Sequence, residues 1–195
     1  FSFRGGLKTL IDKLAAEIGD GVRRGVSVEQ IEAIEGGRFR VNGEEYDAVI
    51  IATPAWVAAD LVRGRDAELA ATLASVNYPQ VAVAVTGYKK EKIGRTLDGF
   101  GFLIPSKERR PILGTLFHSA VFPERSPEGY HLLMTFVGGV RSGDKLDDMT
   151  DEEVKGVVVD QLKELLDVKG EPDMFHLKRW RRAIPQYRVG YEQVM

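Results

Sequence analysis

The chain contains no cysteine, so disulfides, thiolate nucleophiles and cysteine-ligated zinc are all excluded. Histidine is scarce. His118, His131 and His176 stand far apart in sequence and do not have the spacing of a ligand set, which argues against a metal site. Neither sign of charge dominates: 27 basic and 29 acidic residues leave a net charge of −2. There is no global basic field of the kind that holds nucleic acid. Long apolar runs are missing too. None approaches the roughly 18 residues that suggest a spanning helix, and the run Ala48–Ala52 has the length of a buried strand. No secretory signal stands at the start, which is Phe rather than Met. Opening on Phe-Ser-Phe and stopping on Glu-Gln-Val-Met, the chain reads as an excised piece of something longer.

What remains is ordinary material for a folded protein. Of 195 residues, 44% are hydrophobic and 29% charged, enough for one domain or two small ones. After Gly5-Gly6, apolar residues Leu7, Leu10, Ile11, Leu14 and Ile18 recur at helical spacing, and Gly19-Asp20-Gly21 ends the pattern. A short strand is expected at Val22–Arg24, followed by strand character from Val26 to Ile34. Phe39 and Val41 continue in strand to a hairpin turn at Asn42-Gly43. Ala48–Ala52, apolar on both faces, reads as a central parallel strand. Pro54 suits the first turn of a helix over Ala55–Leu61, and Asp66 caps another over Ala67–Ala74. Alternation then returns from Val81 to Tyr88, and Tyr130–Val137 and Phe175–Trp180 read as further strands. Between the last two, Thr150 and Glu153 form a capping box ahead of the stripe Val154, Val157, Val158, Leu162, Leu165 and Leu166.

The most informative stretch lies between Gly99 and Pro123. Gly99-Phe100-Gly101-Phe102-Leu103-Ile104-Pro105 and Leu113-Gly114-Thr115-Leu116-Phe117-His118-Ser119-Ala120-Val121-Phe122-Pro123 read as two aromatic-rich strands around the turn Ser106–Arg110. Phe100 and Phe102 share one face by alternation, and Phe117 falls mid-way along the second strand. Glycine weakens a strand interior unless something approaches the backbone closely. Residues alone favour a core hairpin of an α+β domain, and they leave open one wall of a pocket for a flat apolar ligand. His118, the one ionisable group inside the hairpin, is more simply structural than catalytic.

These two segments resemble the substrate-domain core of the protoporphyrinogen oxidases, within the flavin amine oxidase superfamily. Further matches are Phe1-Ser2-Phe3-Arg4-Gly5-Gly6-Leu7, Tyr46-Asp47-Ala48-Val49-Ile50-Ile51-Ala52-Thr53-Pro54, Thr135-Phe136-Val137-Gly138-Gly139 and Trp180-Arg181-Arg182-Ala183-Ile184-Pro185-Gln186-Tyr187. The resemblance implies an α+β (α/β) chain. An antiparallel sheet with packed helices would form the substrate-binding domain over 57–182. Part of a Rossmann-like FAD-binding domain would occupy 1–56, with 183–195 starting the return to it. It implies FAD as the cofactor of the full-length protein, contacted by Gly5, Gly6, Val28, Thr53, Pro54 and Trp180. It implies a porphyrinogen substrate held by Phe117, which would stack on the ring, with Leu97, Gly99, Phe100, Leu103 and Val85 around it. Arg179, Arg181 and Arg182 are expected in solvent or, alternatively, on tetrapyrrole propionates.

The chemistry so implied asks for no catalytic side chain, because the flavin accepts the hydrides and the protein orients the macrocycle. Two parts of the family pattern are missing: the Gly-x-Gly-x-x-Gly loop and the C-terminal flavin-binding segment. FAD binding by this chain alone is therefore expected to be weak or absent, and the isolated piece inactive. Coproporphyrinogen III oxidation, another flavin amine oxidase activity and a non-catalytic apolar-ligand domain are the alternatives. A cytoplasmic location is expected, with peripheral membrane contact and a homodimer among the arrangements that the resemblance allows.

Overall fold

The computed structural model describes residues 2–140, 143–187 and 189–193; Phe1, where the opening motif begins, lies outside them. The chain divides into two compact units, one of residues 1–76 with 187–195 and one of residues 77–186. These units part at 76/77 and 186/187, whereas the domains implied by the resemblance part at 56/57 and 182/183. The two short helices after Pro54 pack on each other and cluster with the first unit.

In the first unit, α1 (Lys8–Ile18) starts after the two glycines and stops at Gly19, whose φ of 63° suits a residue without a β-carbon. Its apolar stripe is not buried: Leu7, Leu10, Ile11, Leu14 and Ile18 are all exposed. β1 (Ile31–Ala33), β2 (Phe39–Val41) and β3 (Glu44–Tyr46) form an antiparallel meander in that order. Asn42 and Gly43 both have positive φ, as the two-residue hairpin requires. Two strand expectations fail. Val22–Arg24 and Val26–Val28 are irregular, and only Ile31–Ala33 finds a ladder partner. Ala48–Ala52 is extended coil, and Ile50 is 93% exposed. A strand apolar on both faces is held by neighbours on both edges, and no described strand pairs with this segment. α2 (Ala55–Val62) follows Pro54, and α3 (Ala67–Ala74) is capped by the Asp66 carboxylate, which accepts from the Leu69 N–H at 2.8 Å.

The second unit is a five-stranded antiparallel sheet. β4 (Val81–Lys89), β5 (Gly101–Leu103), β6 (Ile112–Leu116), β7 (Tyr130–Gly138) and β8 (Met174–Trp180) lie in the order β5-β6-β7-β4-β8. β5 and β6 form the expected hairpin, but the second strand ends at Leu116. Beyond it the chain turns into α4 (His118–Val121), with the Ala120 and Val121 N–H groups donating to the Phe117 carbonyl. Phe117 is thus at a strand end, not mid-strand. α5 (Asp151–Leu166) crosses one face of the sheet, and Val154, Val158 and Leu162 are fully buried there. The capping box is present in both directions. The Thr150 hydroxyl accepts from the Glu153 N–H at 3.2 Å, and the Glu153 carboxylate accepts from the Thr150 N–H at 2.7 Å. Thr150→Ala is expected to lower stability by about 1 kcal/mol, read from the urea midpoint.

Candidate functional site

Residues opposed across an antiparallel pair lie on the same face, so the ladder registers sort the second unit's side chains. On the α5 face, Leu177, Ala84, Thr135, Thr115 and Phe102 form one row, and Arg179, Ala82 and Val137 begin the next. Ala82, Ala84, Thr86 and Tyr88 of β4 have no exposed surface. The Thr115 and Thr135 hydroxyls bond to each other at 3.0 Å, which satisfies both inside the core.

The opposite face carries a different set. One row runs His176, Val85, Met134, Leu116, Gly101, and the next Lys178, Val83, Phe136, Gly114, Leu103. A third row begins with Trp180 and Val81. Val83, Val85, Leu116, Met134 and Phe136 are half-buried, whereas Leu103 at the sheet edge is 80% exposed. The result is an apolar platform whose strands β5 and β6 contribute glycines, which keep that end low. Its titratable side chains in these rows are His176 and Lys178, and neither row contains a carboxylate. It can hold a flat apolar body by contact, and it offers no acid–base pair.

The six expected substrate residues are not all brought together. Val85 and Leu103 lie on the platform. Phe100 is 65% exposed just before β5, where its carbonyl accepts from the Phe117 N–H at 3.0 Å, and Gly99 precedes it. Phe117 and Leu97 are in the buried core, 7% and 8% exposed. Phe117 therefore presents no ring face for a ligand to stack on. Its ring partner is Phe102, edge to face with centroids 6.1 Å apart. Val83 neighbours Val85 on β4, and the registers add Leu116, Met134 and Phe136 to the same face. Alternation places each on a strand face, but which face they share depends on registers between strands far apart in sequence.

Of the expected cofactor residues, Gly5, Gly6, Val28, Thr53 and Pro54 are in the first unit and Trp180 in the second. Gly5 and Gly6 serve the entry to α1. A β-carbon on Gly5 would lie 2.8 Å from the Thr9 hydroxyl, and Gly6 has φ 84°. Val28 is an exposed loop residue, and Thr53 and Pro54 are exposed ahead of α2. Trp180 is 50% exposed, with the Lys178 ammonium 5.0 Å from its ring centre. Arg179 is committed internally, to the carbonyls of Leu146 and Met149 and the Asp151 carboxylate. It is not available to a propionate.

Two histidines sit off the platform. Burial pushes the imidazoles of His118 and His131 below their ordinary value, with Arg125 adding to the effect at His118 and Lys90 at His131. The His131 Nδ1 is 3.3 Å from the Ser119 hydroxyl, which accepts from the Leu132 N–H. A histidine held below its unfolded pKa gains a proton on unfolding. Stability is then complete above about pH 6.5 and declines as pH falls through that value toward the folded pKa. The melting temperature should fall between about pH 7 and about pH 5, above the range where carboxylates titrate. The double variant His118→Gln/His131→Gln should flatten that decline.

Similarity to known proteins identifies the class of the chain. The chain belongs to the flavin containing amine oxidoreductase family, whose description matches residues 1–195. It is 36% identical to protoporphyrinogen oxidase 2, chloroplastic/mitochondrial, of Arabidopsis thaliana, over all of this chain and 42% of that protein. It is 31% identical to the mitochondrial protoporphyrinogen oxidase of Nicotiana tabacum, over all of this chain and 43% of that one. A crystallised protein from Exiguobacterium sp. 255-15, assigned as a protoporphyrinogen oxidase, has the same fold: TM-score 0.79 at 22% identity, over 99% of this chain and 42% of that one. The chain thus spans less than half the length of the relatives it matches. Membership implies a flavin in the full-length relatives.

Proposed function

We propose that this chain supplies the substrate-side wall of an FAD-dependent oxidase acting on a porphyrinogen, with protoporphyrinogen IX as the substrate. The apolar, carboxylate-free platform of Val83, Val85, Leu116, Met134 and Phe136 carries the reading. A porphyrinogen is a broad apolar macrocycle, and contact over a sheet face orients it without chemistry from the protein. Leu103, Phe100 and Gly99 extend the platform at the β5 edge. Lys178 is the cation on this face for a substrate carboxylate. Phe117 and Leu97 act from behind, through Phe102 and the core.

When bound, the flavin accepts the hydrides. Gly5, Gly6, Val28, Thr53, Pro54 and Trp180 remain the residues proposed to line it, as the resemblance implies. The pyrophosphate is a different matter. No Gly-x-Gly-x-x-Gly loop occurs in the 195 residues, and α1 begins at Lys8 without a side-chain cap. These residues do not fit an FAD phosphate cradle, so the chain is proposed to line the flavin and the substrate without holding the pyrophosphate. Relatives are named for chloroplast and mitochondrion, and no helix of the described residues is long and apolar enough to cross a membrane. The proposal keeps the cytoplasmic location read from the sequence.

The test is a charge placed on the platform. Met134→Arg and Val85→Glu should each weaken protoporphyrin IX binding at least about tenfold, because burying an unpaired charge under an apolar ring is unfavourable. Both side chains are half-buried on the face away from α5, so the unfolding midpoint is the fold control. Affinity unchanged in both variants would overturn the reading.

A further inference from the structure

The second unit has a cavity of about 540 Å³ that the platform does not use. It opens on the α5 side of the sheet, between the turn that joins β5 to β6 and the segment ahead of α5. Leu113, Met149 and Val157 are half-buried among its apolar walls, and Ile112 and Leu146, each 1% exposed, belong to the core beside them. Arg109, Arg110 and Lys145 stand at the same cavity.

These three cations are not equivalent. Arg110 is engaged: its guanidinium donates to Glu164 at 2.8 Å and to Gln161 at 3.2 Å, which pins the turn onto α5. Arg109 and Lys145 are exposed and have no ion pair among the described residues. Arg109 also adopts a left-handed backbone conformation, φ 50° and ψ 30°, which side chains other than glycine and asparagine seldom take. Glu108 shares the turn with Arg109, Asp147 and Asp148 follow Lys145 in the chain and are exposed, and Glu164 on α5 is spent on Arg110.

We propose that this cavity binds a single-chain amphipathic carboxylate, its apolar tail among Leu113, Met149 and Val157 and its carboxylate between Arg109 and Lys145. The chemistry selects that class. A phosphate-rich ligand would use Ser106 and the cations but leave the apolar wall of Leu113, Met149 and Val157 without a partner. A neutral apolar ligand would gain nothing from the two exposed cations at the mouth. One carboxylate satisfies both through charge-assisted hydrogen bonds. The site lies on the face of the sheet opposite Val85 and Met134, so it is independent of the porphyrinogen reading.

Dodecanoate is the probe, titrated into the protein by calorimetry below its micelle concentration. Dodecanol and dodecyltrimethylammonium serve as controls. Saturable one-to-one binding of dodecanoate is expected, with both controls at least about tenfold weaker. Arg109→Glu/Lys145→Glu should reduce the dodecanoate affinity at least about tenfold, one decade being about 1.4 kcal/mol. If that double variant does not fold, Arg109→Gly/Lys145→Gln gives the same comparison, since glycine relieves the left-handed backbone. The inference is overturned by no saturable binding up to about 1 mM, by dodecanol binding as well as dodecanoate, or by an unchanged affinity in the variant. Met134→Arg should leave dodecanoate binding intact.

Discussion

Gly101→Ala is expected to destabilise the second unit by about 2–4 kcal/mol, a large effect for one methyl group. An ideal β-carbon at position 101 would lie 2.2 Å from the Thr115 carbonyl oxygen and 2.8 Å from the Leu116 α-carbon, and φ there is 141°. Gly114 mirrors it. A β-carbon there would meet the Phe102 carbonyl oxygen at 2.3 Å and the Leu103 α-carbon at 3.0 Å. Each contact is with backbone, so no flexible side chain can swing away. The two glycines let β5 and β6 approach each other, and what comes close to these backbones is the partner strand. Gly99 is the control. A β-carbon there would come no nearer than 3.9 Å to an atom beyond its chain neighbours, the Gly101 nitrogen, so Gly99→Ala should stay within about 0.5 kcal/mol of the parent. Urea unfolding of the three variants decides it, and parent-like stability for Gly101→Ala would show that the strands tolerate a wider spacing.

Arg179→Ala should cost about 2–4 kcal/mol, the range for losing charge-assisted hydrogen bonds whose partners stay partly buried. The guanidinium donates to the Leu146 carbonyl at 2.9 Å, the Met149 carbonyl at 2.7 Å and the Asp151 carboxylate at 2.8 Å. It therefore ties β8 to the segment that leads into α5. Arg179→Lys keeps the charge but not the planar fork, so it should recover less than half of the loss. If Arg179→Ala unfolds at the parent's urea concentration, this fork is not what holds that segment.

Local chemistry made much of this fold legible. Thr150 and Glu153 sit three apart before a helical stripe, and α5 begins where they place it. Asp66 and Asn42-Gly43 are equally local, and each signal is complete within four residues. The failures are all cases where a distant partner decides. Ala48–Ala52 has the composition of a central strand, but a strand needs a ladder and none of the described strands provides one. The ring-stacking role expected of Phe117 comes from the family resemblance, and its place mid-strand from reading the hairpin as continuous. The turn into α4 and the contact with Phe102 put it in the core instead. Part of the platform came from the family resemblance, which implies Val85 and Leu103. Leu116, Met134 and Phe136 share its face only through the registers of β4 with β7 and β7 with β6, which no short window contains. Arg179 read as a solvated cation because its carbonyl partners are some thirty residues upstream.

The central claim is that the sheet face around Val85 and Met134 holds a porphyrin ring and that the chain does not hold FAD by itself. One titration tests both parts. The protein is titrated with protoporphyrin IX and, separately, with FAD, following tryptophan emission and flavin absorbance. Trp180 begins the third row of the platform, so a bound porphyrin should quench it. The account predicts saturable porphyrin quenching that Met134→Arg removes, with no stoichiometric FAD binding. Tight one-to-one FAD binding, or porphyrin quenching that Met134→Arg leaves unchanged, would contradict it.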